Sequence, residues 1–117
     1  MIDGSMQTYA LTLDKFLAHA AKWHPDAEVV SAGADGAVQR IGYAPLRDRA
    51  LRVSGALARL GIVQGDRVAT LAWNTQGHVE AWYGIMGIGA IYHTLNPRLF
   101  PEQLAWIMNH AEDKAIF

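Results

Sequence analysis

A chain of 117 residues, 51% hydrophobic and 18% charged, is one domain or a piece of one, and this composition excludes a disordered tail. Its formal net charge of −1 supplies no field to recruit nucleic acid or an anionic membrane, so neither is an expected partner. The absence of cysteine excludes a disulfide scaffold, a zinc–thiolate site and thiol catalysis, and fits a reducing compartment.

The opening segment, MIDGSMQTYALTLD, lacks the basic and apolar regions of a secretory signal. Met6 as a second start, or residues 1–5 as a cloning remnant, both fit. A first helix is expected from Thr12 to Trp23, with Thr12 as N-cap and Leu13, Phe16, Leu17 and Ala20 on one face. His24-Pro25-Asp26 ends it, because proline pushes the preceding residue out of the α region. Residues 27–32 and 38–43 then read as a hairpin turned at Ala34-Asp35-Gly36.

A long helix follows over residues 44–60, with Leu46, Ala50, Val53, Leu57 and Leu60 forming one stripe. Pro45 suits its first turn and Gly61 the left-handed position beyond its end. From there the pattern is regular: strand 67–72, helix 75–89, strand 91–95, helix 101–110, strand 114–117. Connections too long for hairpins make these parallel βαβ units with right-handed crossovers, so the fold class is α/β with a leading hairpin. No apolar run reaches membrane-spanning length, since Ala81 to Leu95 is broken by glycines, a histidine and a threonine. A soluble, cytoplasmic protein is expected. The chain stops on an apolar strand, and parallel sheets continue until both edges are managed. An incomplete sheet belonging to a larger domain is therefore expected, the competing reading being a small complete domain that hides the edge by dimerising.

The glycine-rich stretch YGIMGIGA, residues 83–90, matches neither a dinucleotide fingerprint nor a Walker loop. It also sits at the end of a helix, where the dipole repels anions, so its missing side chains are expected to let the helix lie close to the sheet. The five histidines show no metal-ligand spacing on one helix face, which leaves no metal site. His93, in an apolar strand, reads as a hydrogen-bonded core residue. None of Ser5, Ser31 and Ser54 sits on a nucleophile elbow, and no catalytic constellation is complete. The tryptophans are expected in the core and are not interleaved with basic residues. What remains is Asn96-Pro97-Arg98 in a strand-to-helix loop. Ligands gather at that edge of an open parallel sheet, and arginine is a permanent, planar fork suited to phosphate.

Residues 66–117, DRVATLAWNTQGHVEAWYGIMGIGAIYHTLNPRLFPEQLAWIMNHAEDKAIF, resemble the N-terminal region of the AMP-forming acyl-CoA synthetases. The shared pattern is a Gly-Asp-Arg-Val strand, a helix ending in Gly-Ala, a strand, Asn-Pro-Arg-Leu and a Pro-Glu-Gln-Leu helix. Residues 40–62 and the opening TLDKFLAHAAKWHPD also match, and the segment from Trp106 to Lys114 looks most like medium- and long-chain fatty acyl-CoA ligases. The resemblance implies that residues 1–117 are the N-terminal portion of a large AMP-binding domain. It implies ATP, Mg2+, CoA and a fatty or other carboxylic acid as the parent's cofactor and substrates, and a homodimer. The arginine of Asn-Pro-Arg lies near the CoA channel in that family, which assigns CoA binding to Arg98 and, through the turn, to Asn96. The family's phosphate loop and catalytic lysine have no counterpart here, where lysines stand only at 15, 22 and 114. No residue of this chain is therefore assigned a catalytic role, and the chain alone is expected to be inactive. Phe100 stands where the family has a Ser or Thr helix cap. A non-enzymatic binding or dimerisation module of the same descent is the alternative, and a flavodoxin-like nucleotide-binding domain a weaker one.

Overall fold

A computed structural model describes residues 8–33 and 35–117; residues 1–5, Met6 and Ala34 of the expected turn lie outside the described residues. The order is α1 (Asp14–Trp23), β1 (Glu28–Ala32), β2 (Val38–Gly42), α2 (Tyr43–Arg59), β3 (Arg67–Thr70), α3 (Gln76–Gly87), β4 (Ile91–Thr94), α4 (Pro101–Ala111) and β5 (Ala115–Ile116). β1 and β2 form an antiparallel ribbon, with Glu28 opposite Gly42 and Ala32 opposite Val38. The other three strands form a parallel sheet in the order β4-β3-β5. Val68 is opposite Tyr92 on one side and Ala115 on the other. Among the described residues, β5 pairs on one flank alone.

β3 is central because Val68, Ala69 and Thr70 are all buried, the continuous burial that a covered parallel strand requires. From β3, the chain crosses through α3 to β4 on one side, then through α4 to β5 on the other. Right-handed crossovers in opposite directions place α3 and α4 on opposite faces. The loops leaving β3 and β4 therefore diverge, which opens a cleft between them at the carboxyl edge of the sheet.

Leu57, Ile62, Val68, Ala81, Ile85 and Ala90 form the main core cluster between α2, α3 and the sheet. A second cluster of Leu17, Leu46 and Ala50 joins α1 to α2. The bare faces of Gly84 and Gly87 let α3 approach α2, not the sheet as the sequence suggests. A Cβ on Gly84 would stand 2.6 Å from Val53 Cβ and 2.9 Å from the Ala50 carbonyl oxygen. Ala81 and Ile85 occupy the core side of α3 instead. Gly89, at φ 74°, supplies the left-handed residue just beyond the helix.

Several local expectations are revised. α1 begins at Asp14 with no side-chain cap, and the Thr12 carbonyl, not its hydroxyl, accepts from Lys15 N–H. Within its apolar set Leu17 is buried while Leu13 and Phe16 are exposed, because α2 covers α1 along one narrow line. Leu60 falls just past the end of α2 and is exposed. All four tryptophans are largely exposed, the least being Trp82 at 39%. They lie on outer faces against polar rings or cations: Trp106 stacks on His110 and Trp82 on Tyr83 and Tyr92, while the Arg98 guanidinium lies over Trp73.

The hairpin is fastened to the sheet unit at the start of α3. Thr75 is the N-cap, its hydroxyl accepting from His78 N–H, and the buried Ser31 Oγ of β1 accepts from Gln76 N–H at 2.9 Å. Further along α3, buried Glu80 accepts from Arg49 Nε at 2.6 Å and from Gln76 Nε2 at 2.7 Å, tying α3 to α2. The hydrogen bond and charge of Glu80 hold the Arg49 pKa above its ordinary value. At α4 the ring of Phe100 cannot accept a hydrogen bond. Gln103 Oε1 reaches back to Phe100 N–H at 3.1 Å, and Pro101 at the first position removes one orphan donor. Arg67 closes the other end of α4, donating to the Ala111 carbonyl and pairing with Glu112 at 3.0 Å.

Candidate functional site

The cleft between the β3–α3 and β4–α4 loops holds a cavity of about 390 Å3, lined among others by Trp73, Asn74, His78, Thr94, Asn96 and Arg98. Among the described residues no carboxylate lines it. Its wall mixes apolar Ala72, Leu95 and Pro97 with the polar side chains of Asn74, His78, Thr94 and Asn96, and Arg98 is its one permanent cation, which suits an anion.

Asn96 and Pro97 turn the chain at the end of β4. The Asn96 side-chain oxygen accepts from Arg98 N–H at 3.0 Å, and its carbonyl accepts from Leu99 N–H at 3.2 Å. This is an Asx turn, in which a short amide side chain imitates backbone. Asn96 thus sets the loop, and Arg98 projects from it. The Arg98 guanidinium carbon lies 5.5 Å from the centre of the Trp73 ring. Among the described residues its guanidinium donates to no acceptor, whereas Arg40, Arg49 and Arg67 are paired with Glu28, Glu80 and Glu112.

His78, in the first turn of α3, forms the floor. Its Nε2 meets the Tyr92 hydroxyl at 2.7 Å and the buried Thr70 hydroxyl at 2.9 Å. A ring nitrogen carries one proton or one lone pair, which the two hydroxyls share. Either way α3, β3 and β4 are joined at a single atom. A second cavity of about 350 Å3 lies beyond this imidazole, against Val29, Ser31, Val79 and Trp82.

Asn96 and Arg98, the two site residues expected from sequence, come together in the cavity. Trp73, His78 and Tyr92 were not singled out for it. The signal available for Trp73 was its place in the loop three residues after β3, on the edge that Arg98 also occupies. His93 is elsewhere: its Nδ1 bonds both carboxylate oxygens of Asp113, at 2.9 and 3.0 Å, the hydrogen bond expected, but the side chain is part-exposed and not in the core. Among the described residues, no group of three or more His, Asp or Glu is arranged to hold a metal ion, and no helix is long and apolar enough to cross a membrane.

A model of the AMP-binding enzyme family matches residues 17–117. The 3-methylmercaptopropionyl-CoA ligase of Ruegeria lacuscaerulensis is 44% identical over 97% of the chain. The long-chain-fatty-acid–CoA ligase of Thermus thermophilus is 46% identical over 96%. In both cases the chain spans 21% of the relative's length. The crystal structure of the N-terminal domain of FACL13 from Mycobacterium tuberculosis superposes with a TM-score of 0.82 at 26% identity, over 92% of this chain and 27% of that one.

Proposed function

The chain belongs to the AMP-binding enzyme family, and we propose that it is the N-terminal portion of the large AMP-binding domain of an acid–CoA ligase. In the proposed reaction a carboxylate oxygen attacks the α-phosphorus of Mg-ATP, giving acyl-AMP and releasing pyrophosphate. The CoA sulfur then attacks the acyl carbon, losing its proton, and the bond from that carbon to the AMP phosphate oxygen breaks, releasing AMP and leaving the thioester. A cytoplasmic homodimer acting on a fatty or other carboxylic acid completes the reading.

The observation that carries it is the Arg98 guanidinium at the carboxyl edge of the sheet, beside a cavity where, among the described residues, its donors are unclaimed and no carboxylate stands. Arg98 contacts a phosphate of CoA there, and Asn96 fixes the turn that presents it. The described residues supply no cluster fitting Mg2+, and the chain has no Ser/Thr/Gly-rich loop with a lysine. In this reading adenylation falls to the rest of the ligase, and carboxylate-dependent ATP–pyrophosphate exchange by the 117-residue chain alone would refute it.

The test is Arg98→Ala in the complete ligase. Loss of one exposed charge-assisted contact, about 1–2 kcal/mol, raises the CoA KM roughly 5- to 30-fold. The KM for the acid should hold. An unchanged CoA KM refutes the assignment.

A further inference from the structure

Trp73 and Arg98 belong to different βα units, one following β3 and the other β4. Trp73 is 61% exposed, yet its ring is engaged, with the Arg98 guanidinium carbon 5.5 Å from its centre. A guanidinium has two kinds of surface: a flat face that stacks on a π-system and an N–H edge that donates hydrogen bonds. Stacking uses the face and leaves the edge free. Pairing with a carboxylate, as Arg40, Arg49 and Arg67 do, uses the edge. The Arg98 guanidinium lies over the indole with its donors unspent among the described residues, beside a cavity that both residues line. An arginine at the tip of an exposed loop otherwise samples many rotamers and must be ordered each time an anion binds.

We infer that Trp73 is the positioning residue of the site: its indole holds the Arg98 guanidinium flat, with the N–H edge available to a phosphate of CoA. This rests on the reading of Arg98 as the CoA contact. It adds that the anion-binding power of Arg98 depends on an aromatic face supplied by the neighbouring crossover. Trp73 touches the arginine, not the reacting atoms, so its removal weakens CoA binding and spares the acid.

The experiment compares Trp73→Ala, Trp73→Leu and Trp73→Phe, alone and with Arg98→Ala, in the complete ligase, measuring KM for CoA and for the acid. Loss of an exposed cation–π contact raises the CoA KM about three-fold in the Ala and Leu variants. Phe restores most of the wild-type value, because it keeps a flat ring, whereas Leu keeps only apolar bulk. In the Arg98→Ala background none of the three adds a further effect. The inference is overturned if the CoA KM is unmoved by Trp73→Ala, if Leu rescues as well as Phe, if both KM values rise together, or if the effects of Trp73→Ala and Arg98→Ala multiply. When Arg98→Ala alone shifts the CoA KM and Trp73→Ala does not, the site reading stands and the role of Trp73 falls. An inert Arg98→Ala removes both.

Discussion

Replacing Gly84 by alanine sets two effects of opposite sign against each other. In an exposed helix interior, Gly→Ala stabilises by about 0.5–1 kcal/mol through a smaller loss of backbone entropy. At Gly84 the added Cβ would stand 2.6 Å from both Cβ and Cγ1 of Val53 and 2.9 Å from the Ala50 carbonyl oxygen. The backbone oxygen and the Cβ cannot swing away, so α2 and α3 must separate, disturbing the core around Leu57 and Ile85. Overpacking of this kind costs about 1–3 kcal/mol, more than the helix gain, and a net loss of about 1–2 kcal/mol follows. Gly87→Ala meets the Ser54 hydroxyl at 3.1 Å and should be close to neutral. Gly55→Ala, with its nearest neighbour the flexible tip of Arg59 at 3.5 Å, should stabilise. Urea denaturation followed by circular dichroism gives the order directly. A Gly84→Ala midpoint equal to or above that of the parent would refute the close-approach account.

Two further outcomes follow from the polar contacts. Glu80→Ala removes the acceptor shared by Arg49 and Gln76, and should cost about 1–2 kcal/mol by thermal unfolding, limited by the exposure of Arg49. A change within error would mean that the contact is ornamental. Tyr83 has its pKa raised above 10.0, chiefly by burial and secondarily by Tyr43. The folded state therefore keeps a proton that the unfolded state releases, so this contribution is intact below pH 10 and is lost as pH rises further. Tyr83→Phe should flatten the fall in unfolding midpoint between about pH 9 and 11, and an unchanged slope would contradict the burial argument.

The order of elements from β3 to β5 was legible because each strand is a short apolar run and each helix carries its own period. Arg98 was legible for a related reason: a strand-to-helix loop fixes which edge of the sheet a residue occupies. Its partner was not. A stack between Trp73 and Arg98 joins two crossovers, and no spacing within either one encodes it. The glycines show the same limit. Their pattern announced a close approach of α3, but not that α2 would fill it. The tryptophans misled because an indole is apolar enough to read as core, and here each finds a cation or another ring at the surface. The α1 cap failed on a smaller scale: the helix starts two residues after Thr12, beyond the reach of its hydroxyl.

Ser31 has a consequence for anyone dividing this polypeptide. A boundary drawn after Gly42, where the ribbon ends and α2 begins, looks natural on a diagram. It would strip the Gln76 amide of its only protein acceptor among the described residues and remove Val29, Val30 and Ser31 from the cavity wall they share with His78. The ribbon is thus a keystone for the crossover rather than an appendage, and trimming should begin no later in the sequence than β1.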